Sequence, residues 1–164
     1  MAEIKYMVFN LEDQLYSLKL SNINGIEYIY NIVPVPAGAK YMKGIIHLRN
    51  QIVPVYNLKE RFSIEETNTS TERQLLITET HGIKLGIEVD GVKGIIPVPE
   101  ENIKEVPHVV KSDDTTYLEN VIKVTLPETG KTEIVLTISI DRLMPDKDFD
   151  SIASSISNME QSDE

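Results

Sequence analysis

The chain has 164 residues, no cysteine, 41% apolar residues and a formal net charge of −10. That length suits one domain, or two very small ones in close contact, with a core of its own. The missing cysteines exclude a disulfide framework, thiolate chemistry and a thiolate metal site, and the acidic balance argues against nucleic acid and anionic membrane surfaces as ligands. The opening "MAEIKYMVFN" has neither the basic region nor the apolar core of a signal peptide, and no apolar run approaches the roughly 18 residues of a membrane span. A soluble, cytoplasmic protein is expected.

Strand signals dominate in chain order. "QLYSLKL" puts Tyr16, Leu18 and Leu20 on one face and Ser17 and Lys19 on the other. "AKYMKG" (39–44) suits a short helical turn. "GIIHLRNQIVPVYNLKERF" (44–62) then reads as a strand pair with Arg49 in its middle. Pro54 cannot donate to a sheet ladder, so its strand is expected at an edge or at a bulge. An uncovered apolar edge is a liability, which points to a binding protein. "SIEETNTSTER" (63–73) is a polar loop and a candidate internal boundary. "IKLGIEV" alternates Ile83, Leu85, Ile87 and Val89 against Lys84, Gly86 and Glu88. A second polar loop covers "HVVKSDDTT" (108–116). "EIVLTISI" alternates Ile134, Leu136, Ile138 and Ile140 against Val135, Thr137 and Ser139. "DRLM" (141–144) suits another turn. The acidic stretch 146–164 carries six carboxylates and Lys147. Within it Phe149, Ile152, Ile156 and Met159 recur at helical spacing behind an acidic first turn, so a short C-terminal helix with a frayed end is expected.

The chain also echoes itself. "IVPVP" (32–36) returns as "IIPVP" (95–99), "YMKGII" (41–46) as "YLENVI" (117–122), and "QIVPVYNLKERF" (51–62) as "EIVLTISIDRLM" (133–144). The order is kept, so two similar small β-barrels in tandem are the simplest account. Catalytic motifs are missing. Gly130-Lys131-Thr132 ends like a P-loop, but Thr125 stands where the first glycine belongs and a strand follows, so a hairpin turn is the better reading. His47, His81 and His108 are far apart and none has a His, Asp or Glu at i+4. No G-x-S-x-G elbow is present. The acid pairs Glu100-Glu101 and Asp113-Asp114 lie in polar loops, where solvated charge is the default.

"YMKGIIHLRNQIVPVYNL", "GIEVDGVKGIIPVPEENIKEVP", "ISIDRLM" and the opening "KYMVFNLEDQLYSLKLSNINGI" together resemble the CheW-like family over residues 3–145. Its members are adaptors that couple bacterial chemoreceptors to the histidine kinase CheA. Asn50 stands where a glycine is usual after the arginine, Asn57 where Asp is usual, His47 for Asn, Gly25 for Glu and Asn120 for Gly. Asn50 puts the turn in question, and Gly25 a partner-facing charge.

The resemblance implies an all-β fold of two five-stranded SH3-like barrels, with the N-terminal strand completing the second barrel. The expected unit is residues 1–145, its halves meeting near 63–73, followed by the partly helical acidic tail 146–164. No catalysis, cofactor or metal is implied. The implied partners are the CheA regulatory domain and the cytoplasmic hairpin tip of the receptors, at arrays on the inner face of the membrane. The chain is too short for an added receiver domain, which argues against the related CheV arrangement. Carried over by motif position, Ile23, Gly44, Arg49, Gly86 and Ile95 are receptor-binding candidates around a groove between the barrels. Ile26, Ile52 and Pro54 are kinase-binding candidates. On the residues alone, Arg49 reads first as a surface arginine in a local salt bridge, and Ile52 as a core residue. The rival reading is a small acidic β-barrel hydrolase or ligand-binding protein. A deep polar pocket of convergent acids would mark that rival, and a shallow apolar groove would mark the adaptor.

Overall fold

The computed structural model describes residues 2–35, 40–67, 72–107 and 116–162, the side chains of 160–162 excepted. Eleven strands form two sheets: β1 (Glu3–Leu11), β2 (Gln14–Lys19), β3 (Ile23–Glu27), β4 (Met42–Leu48), β5 (Gln51–Tyr56), β6 (Gln74–Thr80), β7 (Ile83–Val89), β8 (Gly91–Pro99), β9 (Ile103–Lys104), β10 (Leu118–Thr125) and β11 (Thr132–Ile138). Helix α1 (Leu58–Arg61) follows β5, and α2 (Asp146–Ser162) closes the chain. Three-residue 3-10 turns occur at Leu20–Asn22, Glu100–Asn102 and Ile140–Arg142.

One sheet has the order β3-β6-β7-β5-β4, the other β8-β1-β2-β11-β10-β9. The two follow one plan. In each, the hairpin β6–β7 or β1–β2 meets the hairpin β4–β5 or β10–β11 through a two-residue parallel ladder. That ladder is Val55 and Tyr56 against Gly86 and Ile87 in one sheet, and Leu136 and Thr137 against Tyr16 and Ser17 in the other. The all-β SH3-like reading therefore holds, and the halves interlock. Both N-terminal strands, not one, cross into the second half. The sixth strand of that sheet is the two-residue β9.

Three expectations are corrected here. The segment 63–73 joins α1 to β6 inside the five-stranded sheet; the chain changes sheets at Leu20–Asn22 and again at Asp90. The "IVPVP" and "IIPVP" echo does not match equivalent strands. Val33 bridges Ile45 on β4 just as β9 pairs with β10, whereas "IIPVP" belongs to β8 alongside β1. Repeated proline-valine chemistry imitated a repeat there, while the other two echoes fall on β4 and β10 and on β5 and β11. Finally, β5 is an inner strand, with Pro54 paired to Ile45. Its ladder to β7 begins only at Val55, so position 54 has no β7 partner, and a strand can hold proline there.

Alternation sorts side chains into three apolar layers. Between the sheets lies the largest, with Met7, Phe9, Leu11 and Leu18 from one sheet and Tyr56, Leu76, Leu85 and Ile87 from the other. Outside it, Tyr6, Val8, Ile122, Val124 and Val135 fill the six-stranded half, and Ile46, Val53, Val55, Leu75 and Ile77 the five-stranded half. Successive residues of β1 thus serve different layers, which is why "YMVF" (6–9) is buried throughout. The Gly130 turn links β10 and β11 as a hairpin, with Gly130 at φ 70° donating to the Leu126 carbonyl. The predicted C-terminal helix is present, and Ile140–Arg142 supplies the turn expected at "DRLM".

Candidate functional site

The receptor candidates do not share one surface. Gly44 and Gly86 flank Val55, and the register continues through Ile77 to Gly25. The row Gly25–Ile77–Gly86–Val55–Gly44 therefore crosses the whole five-stranded sheet. Its glycines act in different ways. A Cβ at Gly44 would stand 2.3 Å from the Val33 carbonyl oxygen, and one at Gly86 would stand 3.2 Å from the Leu75 side chain. A Cβ at Gly25 would meet nothing within 4 Å. Gly44 thus admits the chain segment that covers the β4 edge, and Gly86 admits a core leucine. Both are buried.

Arg49 lies at the tip of the β4–β5 hairpin, exposed to solvent. Leu48 pairs with Gln51, so Arg49 and Asn50 form a two-residue loop, with φ 49° and 66°. Two consecutive left-handed residues define a type I′ turn, and asparagine tolerates that conformation well. Asn50 therefore preserves the turn its glycine counterpart would make. No hydrogen bond or ion pair of Arg49 is present among the described residues, so the local salt bridge considered from sequence is not observed. Ile95, 52% exposed, lies on β8 in the other sheet opposite Met7. Ile23 is half-buried on β3 against the central layer.

The kinase candidates are also divided. Ile26 is half-buried on the edge strand β3, with β6 and β7 between it and β5. Ile52 and Pro54 lie under α2. A cavity of about 320 Å³ separates Ile52, Val53, Ile83 and Lys84 from Ala153, Ile156 and Ser157. A neighbouring cavity of about 370 Å³ separates Gly44, Ile45 and Pro54 from Ile152, Ser155, Ile156 and Met159. The helix is anchored at its start, where Phe149 is fully buried and stacks on His81 at 4.1 Å and 8°. The apolar edge expected at Pro54 is thus a strand face roofed by the chain's own helix.

A buried ionic cluster joins the two halves. Asn57 caps α1 by accepting from the Glu60 amide at 3.1 Å, which turns Lys59 inward. The Lys59 ammonium donates to Glu12, Glu66 and Asp90, each at 2.9 Å. Asp90 also accepts from the Glu12 amide at 2.6 Å, tying the β1–β2 turn to the chain between β7 and β8. Arg73 bonds Glu66 and approaches Asp90 at 3.6 Å, while Lys43 and Tyr30 both donate to Glu88 at 2.5 Å. Burial pulls Lys59 down, but its hydrogen bonds to Asp90, Glu12 and Glu66 outweigh that and hold its pKa above the ordinary lysine value. Burial pushes Glu88 up, but Lys43, Tyr30 and Arg73 more than reverse it, leaving its pKa below the ordinary glutamate value. The cavity inside the cluster is about 10 Å³, room for no more than a water.

The CheW-like domain family model matches residues 5–148. The chain belongs to the CheW-like family. Among its relatives is the "Chemotaxis protein CheW" of Treponema pallidum, 24% identical over 156 residues, covering 93% of this chain and 88% of that one. The "Chemotaxis protein CheW" of Bacillus subtilis is 28% identical over 119 residues, covering 73% of this chain and 76% of its own. The crystal structure of the scaffolding protein TtCheW from Thermoanaerobacter tengcongensis superposes with a TM-score of 0.75 at 31% identity, over 87% of this chain and 92% of that one. Within this family the chain is a chemotaxis adaptor. The sequence pattern assigns no role to Lys59 or Arg73, and Glu12, Glu88 and Asp90 lie inside the CheW-like segments with nothing in the pattern to bring them together.

Proposed function

We propose that this adaptor links the cytoplasmic tips of chemoreceptors to the regulatory domain of CheA through two separate surfaces, and that it carries no catalytic activity. The observation that carries the reading is the interlocked two-sheet fold, shared over most of the chain with a CheW scaffolding protein. Arg49 is the receptor-facing contact. A tight type I′ turn presents its guanidinium beyond the sheet, where it can offer a donor fork to carboxylate or carbonyl groups of a helical tip. Ile95 adds an exposed apolar contact, and Ile23, Gly44 and Gly86 set the shape of the sheets that carry both. The kinase meets the five-stranded half, from Ile26 on β3 to Ile52 and Pro54 on β5.

The hydrolase rival needs convergent acids around a substrate-sized pocket. The acids that do converge are held by Lys43, Lys59 and Arg73 around a space of about 10 Å³. Among the described residues no helix is long and apolar enough to cross a membrane. The adaptor acts at cytoplasmic receptor arrays, with 1–145 as the working unit and 146–164 as an appended acidic segment.

Arg49→Glu tests the reading. An interface arginine contributes about 2 kcal/mol or more, so receptor binding should weaken roughly thirtyfold or more while kinase binding and the melting curve hold. Unfolding of the variant would make Arg49 structural, and equal losses for both partners would remove the two-surface arrangement.

A further inference from the structure

We propose that Asn24 and Gly25 form a self-modifying site. There the asparagine side chain closes onto the glycine nitrogen, loses ammonia and leaves aspartate or isoaspartate on the edge of the five-stranded sheet. Asn24 is the only asparagine in the chain followed by glycine. After every other asparagine, a side chain on the next residue crowds the nitrogen that must attack. Here that side chain is missing, and a Cβ built on Gly25 would meet nothing within 4 Å. β3 is an edge strand, paired with β6 on one side only. Its register skips Asn24: Ile23 faces Thr78 and Gly25 faces Ile77, so Asn24 is the extra residue of a bulge. A bulged residue on a sheet edge is held by fewer backbone constraints than one inside a ladder. The Asn24 side chain is exposed, and its amide donates to the Glu79 carboxylate on β6 at 2.6 Å.

The chemistry needs only water. The Gly25 nitrogen gives up its proton and bonds to the Asn24 Cγ, the Cγ–Nδ2 bond breaks, and Nδ2 departs with that proton as ammonia. The cyclic imide that remains takes up water at either carbonyl. One opening restores the backbone with aspartate at position 24, and the other routes the backbone through the side chain as isoaspartate. Glu79 restrains the first step, because the amide must leave its hydrogen bond before Cγ can reach the nitrogen. The product sets two carboxylates on neighbouring strands where a donor and an acceptor stood, a destabilising pair. Isoaspartate also lengthens the backbone inside a strand whose Ile23 and Ile26 pack against the central layer. The related pair Asp90–Gly91 is the internal contrast. The Asp90 side chain is 4% exposed and held by Lys59 at 2.8 Å and by the Glu12 amide at 2.6 Å. A Cβ at Gly91 would stand 2.8 Å from the Asn10 Oδ1. Packing blocks the ring closure there.

The test ages the full-length protein in mildly alkaline buffer at physiological temperature. The protein is then digested, and its peptides are weighed and treated with an isoaspartate-specific methyltransferase. The peptide holding Asn24 and Gly25 should accept methyl groups and gain the mass difference between a hydroxyl and an amino group, with ammonia released in proportion. The peptide holding Asp90 and Gly91 should stay unchanged. Gly25→Ala, which keeps the fold, should suppress the conversion. Glu79→Ala should speed it roughly fivefold, the loss of one hydrogen bond read as a rate. Amide hydrogen exchange of the converted protein should quicken over 23–27 and not over β7. The chain unfolded in urea supplies the unrestrained rate. If that chain converts and the folded protein does not, the strand protects Asn24 and the proposal falls. Equal conversion of wild type and Gly25→Ala overturns it as well. A Glu79→Ala rate equal to or below that of wild type overturns the restraint by Glu79.

Discussion

The glycine row of the five-stranded sheet allows three substitutions of identical chemistry to be ranked in advance. Gly44→Ala places a methyl group 2.3 Å from the Val33 carbonyl oxygen and 2.8 Å from the Ile32 Cγ2. The oxygen is backbone, and it accepts from the Ile45 amide at 2.9 Å while the Val33 amide donates to Ile45 at 2.8 Å. Relief therefore means pulling Val33 away and loosening both bonds. At about 1 kcal/mol for each hydrogen bond, with some strain left over, the loss is about 2–3 kcal/mol. For a chain of this size that lowers Tm by roughly 4–12 °C. Gly86→Ala meets only the Leu75 side chain at 3.2–3.4 Å, which can shift, so about 1 kcal/mol is expected. Gly25→Ala meets nothing within 4 Å and should fall within about 0.5 kcal/mol of wild type. Thermal and urea unfolding of the three variants measure the order. A neutral Gly44→Ala, or three equal losses, would refute the reasoning. A fully stable Gly44→Ala that lost receptor binding would instead make Gly44 a direct contact.

Removing Lys59 takes from Asp90, whose side chain is only 4% exposed, its 2.8 Å ion pair, so Lys59→Met should destabilise by about 3 kcal/mol in urea titration. Because the folded-state pKa of Glu88 lies below its ordinary value, its contribution is complete above about pH 4.3 and is lost as pH falls through the folded value. Glu88→Gln should accordingly flatten the acid limb of a Tm–pH profile, and an unchanged limb would count against the cluster. The Lys59 contribution runs the other way, complete at neutral pH and lost only above the ordinary lysine range, so it should not shape that limb. Phe149→Ala should cost about 3 kcal/mol or more in thermal melts, whereas deleting 160–164 should change Tm hardly at all; equal Tm values would show that Phe149 does not anchor the helix.

Strand content was legible because half-buried strands write their faces into alternate residues, as Ile83, Leu85, Ile87 and Val89 do. The C-terminal helix was legible from Phe149, Ile152, Ile156 and Met159. Where that stripe would dock was not, since periodicity marks a face and not its partner. Pro54 misled because the rule that keeps proline out of inner strands assumes a full ladder on both sides, and here one ladder is two residues long. The ionic cluster was hidden for another reason. Glu12, Lys59, Glu66, Arg73, Glu88 and Asp90 span residues 12 to 90, and only the interlocking of the sheets brings Glu12 to the others. The candidate contacts taken from family motifs included Gly44 and Gly86, which the fold also requires, because a motif records what must be kept without saying whether a partner or the fold requires it.

The proposed function requires that one chain hold receptor and kinase at the same time on different surfaces. Sedimentation of receptor-tip assemblies with the CheA regulatory domain, with and without this protein, tests it most directly. The kinase domain should sediment with the receptor only when this protein is present, and raising the receptor concentration should not release it. Displacement of the kinase domain by receptor, with the two never found in one complex, would contradict it.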